Sequence, residues 1–142
     1  MTTKIFWIIA GILLLALSLT AARRSEHLKL QSVSLIQLLS TPEKYHGKYV
    51  SVEGFYHREF ESSGLYICRE HAVYSLLQSA IWVGGARKGG TNRIEDVNDA
   101  YIQVNGVFYH IPGGGGHSAM GTGELQEITL LTALPVRRTL PR

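Results

Sequence analysis

The chain has 142 residues, 45% of them apolar and 18% charged, with a formal net charge of +3. That length suits one domain. Setting Lys4 aside from the 14 Lys+Arg leaves 13 against 11 Asp+Glu beyond residue 22, a balance without the marked basic excess of a dedicated nucleic-acid binder. The single cysteine, Cys68, excludes an intramolecular disulfide and reads as a small apolar packing residue within a strand.

The first element is an uncharged run, Ile5 to Ala22, preceded by Lys4 and ended by Arg23-Arg24. It shows no polar residue at helical spacing before Ser18, so it reads as a membrane or export signal rather than a core helix. A cleaved secretory signal fits the basic start, the Ile/Leu block and the small residues near Ala22. A signal anchor fits a run at the short end of what crosses the hydrocarbon. Arg23-Arg24 favour the anchor, because positive charge there resists translocation. Residues 1–22 are therefore assigned as signal or transmembrane anchor, and the rest of the chain is expected outside the cytoplasm, anchored to the inner membrane or, if the N-terminus is cleaved, periplasmic or secreted. No cysteine follows the run to carry a lipid.

Residues 23–32 read as a polar linker. A folded domain is predicted over 33–135, followed by a loose tail at 136–142. Ser34 and Gln37 have capping-box spacing, with Val33 and Leu38 placed for a hydrophobic staple. Leu35, Leu38 and Leu39 make one apolar helical stripe. Thr41-Pro42-Glu43 starts a second turn, which Gly47 stops. Strands are predicted at 48–60, 65–69, 80–83, 100–111 and 125–134, and a short internal helix at 72–78.

Two of these strands carry nearly the same word. Tyr49-Val-Ser-Val-Glu-Gly-Phe-Tyr-His57 parallels Tyr101-Ile-Gln-Val-Asn-Gly-Val-Phe-Tyr109. Each has a glycine at its sixth place, Gly54 and Gly106, which is costly in a strand unless the strand bulges or bends there. Two strands bent alike predict a small closed or nearly closed barrel, mainly β. The repeat also places Tyr49 with Tyr101, and His57 close to His110, at equivalent positions. If the two strands pair, the tyrosines are candidates to stack and the histidines to meet.

The segments Thr41-Pro42-Glu43-Lys44-Tyr45-His46-Gly47-Lys48, Leu65-Tyr66-Ile67-Cys68-Arg69-Glu70 and His117-Ser118-Ala119-Met120-Gly121-Thr122-Gly123, with the Val-x-Val-x-Gly strand pattern, carry a family likeness. Over residues 33–134 the chain resembles small uncharacterised bacterial exported or membrane-anchored proteins with an OB-fold, of the tRNA-anticodon-binding-like superfamily. The resemblance implies a five-stranded OB-like barrel with a leading helix and no established activity. The internal helix departs from the usual pattern, lying between strands two and three.

Three constellations are candidates for function. His57, His110 and His117 could form an open zinc-like site, or a metal-dependent enzyme, although none has a compact ligand spacing. Glu53, Glu59 and Glu61 are candidates for acid/base work or for solvated strand-edge charges. Aromatic and arginine residues gather on the first three barrel strands, and Tyr56, Arg58, Tyr66, Arg69 and Trp82 make the expected ligand-binding face. The glycine-dense segment from Gly113 to Gly123 lacks a phosphate-loop context and is expected as a ligand lid or a plain long connection, with a close backbone passage over the barrel as a further explanation of its glycines. The sequence reading is a binding module of the cell envelope, without a cofactor. Its expected partners are the membrane through residues 5–22 and an envelope protein or small ligand at the barrel. Metal binding is the alternative. Single-stranded nucleic-acid binding rests on fold analogy and runs against the charge balance.

Overall fold

The structure is a computed structural model that describes residues 29–84, 97–116 and 119–135. The apolar run at 5–22, His117 and the tail beyond 135 lie outside the described residues. Among the described residues no helix is long and apolar enough to cross a membrane.

In chain order the elements are β1 (Gln31–Ser32), α1 (Leu35–Ser40), a 3-10 turn (Pro42–Tyr45), β2 (Lys48–Glu59), β3 (Ser62–Tyr66), α2 (Arg69–Val73), a 3-10 turn (Leu77–Ser79), β4 (Ala80–Val83), β5 (Ala100–His110) and β6 (Gly123–Ala133). Strands β2, β3, β4, β6 and β5 follow one another around the sheet, and β5 pairs back onto β2, closing a five-stranded barrel. The β4–β6 pair is parallel and the others in the ring are antiparallel. The expected linker contains an element of its own: β1 adds to the outside of β2 in parallel, with Gln31 opposite Val50.

Alternation along the strands separates two apolar cores. Val50, Val52, Tyr56, Leu65, Ile81, Ile102, Val104, Phe108, Leu125 and Leu131 fill the barrel interior, and all are almost wholly removed from water. Leu35 and Leu38 of α1 join this core, as the helical stripe requires. The capping box forms, with the Gln37 amide donating to Ser34 Oγ at 3.2 Å and the Ser34 amide donating to Gln37 Oε1 at 2.9 Å. Pro42 opens the following 3-10 turn, and Gly47, at φ 71°, ends it by donating its amide to Phe108 O. The second core lies outside the barrel, where Phe55, Tyr66, Ala72, Ala80 and Met120 pack with Leu77 and Trp82.

The two similar segments do pair, in antiparallel register, with Tyr49 opposite Val107 and Phe55 opposite Tyr101. Antiparallel pairing sends equivalent positions to opposite ends of the ladder. Tyr49 therefore meets Thr129 through its hydroxyl, and Tyr101 packs edge-on against Phe55 with ring centroids 5.3 Å apart; the two tyrosines do not stack. Both glycines mark close strand approach. A Cβ at Gly54 would meet Tyr66 O at 2.7 Å, and one at Gly106 would meet Gln126 O at 2.7 Å. The bulge beside Gly106 belongs to β6: Asn105 faces Leu130 and Val107 faces Gln126, so β6 advances four residues where β5 advances two. Glu127, at φ 49°, absorbs the kink.

The internal helix differs from expectation. Helix α2 starts at Arg69, on the segment expected to end strand two, and stops after Val73. Ser75, at φ 52°, breaks it from the 3-10 turn at 77–79. A left-handed residue interrupts an α-helix whatever the apolar spacing around it.

Candidate functional site

The expected face on β2, β3 and β4 divides three ways. Tyr56 has the parity of Val52 and points into the barrel, where its hydroxyl lies 2.9 Å from Ser63 Oγ. Ser63 Oγ in turn donates to Val83 O at 2.9 Å, so its one proton is spent and the tyrosine is the donor. Tyr66 and Trp82 have the outward parity but belong to the outer core. Burial pushes the Tyr66 hydroxyl above its ordinary range, and the nearby Glu59 charge adds to the shift. Arg58 and Arg69 are the exposed members of the set.

What covers Tyr66 and Trp82 is the glycine segment together with α2. Gly115 and Met120 exchange two backbone hydrogen bonds of 2.9 Å, making a narrow loop that Gly121 ties to Leu77 O at 2.9 Å. Met120 is fully buried, and its sulfur lies where a Cβ on Gly64 would come within 2.9 Å. Gly116, at φ 64°, crosses the Trp82 indole so closely that any Cβ would overlap the ring. In its described residues this segment passes close over the outer face of the barrel.

Beside this strap an open groove of about 530 Å³ remains. Phe55 and Ala72 are its buried apolar members, and Val73, Tyr101 and Leu134 add partly or largely exposed apolar surface. Its polar members are His57, Asp99 and Arg69. Tyr101, 46% exposed, links the walls: its hydroxyl accepts from the Arg69 amide at 3.4 Å while its ring packs on Phe55. Val73 and Tyr74 continue the apolar surface along α2, at 67% and 75% exposure.

His57 is held between two carboxylates. Its Nδ1 lies 2.6 Å from Asp99 Oδ1 and its Nε2 lies 3.1 Å from Glu59 Oε1. Burial lowers its proton affinity, but the hydrogen bonds to Asp99 and Glu59, with the two charges behind them, outweigh that and raise it above the ordinary histidine value. A general base needs a free lone pair, and both ring nitrogens here are engaged.

Of the three histidines expected as a metal site, His117 lies outside the described residues and the other two, His57 and His110, are not brought together. In the β2–β5 register His57 stands at the Ala100 end of the ladder, while His110 lies beyond the Lys48–Phe108 pair at the other end. His110 Nδ1 is 2.8 Å from Thr122 O, and Nε2 faces Glu43 at 3.6 Å. Among the described residues no cluster of His, Cys, Asp or Glu could hold a metal. The three glutamates are likewise separate. Glu53 faces Gln103 in the ladder, Glu59 is held by His57, and Glu61 occupies the β2–β3 turn at φ 58°.

The sequence reading passed over Phe55, Val73, Asp99 and Tyr101 as one site. Phe55 lies near the end of the first repeat segment and Tyr101 at the start of the second, so antiparallel pairing would have placed them together. Asp99 comes from a segment with no periodic signal, and α2 begins three residues before the helix expected at 72–78.

No family model, curated protein or solved structure matches this chain.

Proposed function

We propose that this protein is a non-enzymatic binding module of the cell envelope, with an OB-like barrel, and that the groove between α2 and the β2–β5 edge takes a protein partner or a small ligand. The strand order β2-β3-β4-β6-β5 closing on β2, with a parallel β4–β6 pair, supports the OB-like reading. The apolar run at Ile5–Ala22 supports the envelope location. The observation that carries the binding reading is the groove itself. It combines a buried apolar base, a half-exposed tyrosine and charged groups of both signs, the composition of an interaction hot spot.

The reading moves the binding residues from the strand face to the groove. Arg69 stays in the site, and Tyr66 and Trp82 become its supporting packing. Site-specific photo-crosslinking in the native envelope tests it, with the crosslinker placed at Val73 or Tyr101 and, as a control, at Glu53. A discrete product from the groove positions that Tyr101→Ala diminishes at Val73 supports the proposal. Equal, diffuse labelling from all three positions refutes it.

A further inference from the structure

The β2–β5 ladder ends at the Tyr56–Ala100 pair. Beyond it, side chains hold the two segments together. The Arg58 amide donates to Asn98 Oδ1 at 2.7 Å, and Asn98 Nδ2 donates back to Arg58 O at 3.3 Å. One residue further along, Asp99 adopts φ 57°, a conformation uncommon outside glycine, and reaches the His57 ring. The turn into β5 is thus tied to the end of β2 through two adjacent side chains, Asn98 and Asp99.

The two ties differ in chemistry. The Asn98 pair is neutral and indifferent to pH. The His57 tie depends on a proton, because ionised carboxylates only accept hydrogen bonds. A neutral imidazole carries one N–H and can satisfy Asp99 or Glu59 but not both; an imidazolium carries two and satisfies both. We propose that His57 is a proton-operated latch, which as imidazolium clamps Asp99 and Glu59 and fixes the turn into β5, and which on losing its proton loosens that turn.

The surroundings make the switch directional. The carboxylates on the ring are Glu59 on its own strand and Asp99 at the start of β5; Arg69 on α2 and Tyr101 on β5 line the same groove, and Tyr66 on β3 feels the Glu59 charge. Asp99 makes the shorter contact. Glu59 is the more exposed partner, with 71% of its side chain in water, and is released on deprotonation. The Asp99 bond falls from a charge-assisted pair to a bond from a neutral donor, and that weakening is what loosens the turn. Deprotonation then leaves two carboxylates beside a neutral ring, and the groove wall gains one negative charge. The raised proton affinity fixes the sign: the clamp is complete below the ordinary value of 6.5 and is lost as pH rises through the shifted value.

NMR of the full-length protein tests the proposal, with His57 ring shifts and amide exchange at residues 99–101 followed against pH. His57 should titrate above 6.5. Asp99→Asn should lower its proton affinity about tenfold. Exchange at 99–101, corrected for its intrinsic base catalysis, should accelerate several-fold through the His57 midpoint. That step should vanish in His57→Gln, which retains an amide donor but cannot titrate. A His57 midpoint at or below the ordinary value, or the same corrected exchange step in His57→Gln, overturns the latch. Should His57→Gln fail to fold, Glu59→Gln serves instead: a lowered His57 midpoint with an exchange step that follows it supports the latch, and an unmoved step overturns it.

Discussion

The two apolar cores use the two faces of the same strands and are built on different principles. The inner core is enclosed by the five hydrogen-bonded strands of the ring, with Leu35 and Leu38 of α1 joining it. The outer core is covered by a strap and a five-residue helix, neither of which belongs to the ring. An aromatic pair on adjacent strands therefore does not define a binding surface. Tyr66 and Trp82 share a face, as strand alternation requires, but the chain returns over that face and uses them as packing. The exposed groove survives only at the edge where the cover stops.

This contrast can be broken from either side. The largest effect is expected inside the barrel, where Leu65→Ala or Ile81→Ala should cost about 2–5 kcal/mol, seen as a cooperative loss of stability in urea unfolding. Met120→Ala removes a side chain equally buried, but from beneath the strap, where neighbours can settle. It should fall toward the low end, about 2 kcal/mol, with Trp82 fluorescence shifting red as water reaches the indole. Gly116→Ala puts a methyl against that ring at a positive φ and should cost about 1–3 kcal/mol. If instead it leaves both stability and Trp82 fluorescence unchanged, the strap does not lie on the indole. Ser34→Ala, which removes half of the capping box, should cost about 1 kcal/mol in the same unfolding assay. The smallest difference is the pH-dependent one. The melting-temperature advantage of the native protein over His57→Gln should be full in mildly acidic buffer and shrink as pH rises through the raised His57 value.

The parts of the fold legible in the sequence are those with local or periodic signals. The Ser34–Gln37 capping box, the Pro42 turn and the long strands at Lys48 and Ala100 all stand near their expected places, and the barrel closes. Features set by distant partners were not legible. Two-residue β1 has no periodicity and exists only because the edge of β2 is open to it. The stop after Val73 comes from the backbone at Ser75, with no proline or glycine to announce it. For the candidate site, the aromatic residues were visible, and their parity along each strand followed from alternation. Which face the chain would cover depended on the Gly115–Met120 pairing, which no local pattern encodes. His57 and His110 stand apart for a simpler reason: resemblance between two strands says which positions correspond, and antiparallel pairing separates corresponding positions.

The parallel addition of β1 to β2 has a consequence for reach. Because β1 runs with β2, the chain enters the domain from the Lys48 side of the barrel, and the groove lies at the His57 side. From the Val50 level, where Gln31 pairs, to His57 is seven residues of strand, or about 23 Å along the barrel wall. Were the run at residues 5–22 to hold the protein in a bilayer, the eight residues from 23 to 30 could extend at most about 29 Å. The barrel would then stand close to the lipid by its base and turn its groove away from the surface. A partner arriving from the aqueous side would find the groove uppermost, while one embedded in the same membrane would need an extramembrane arm to touch it.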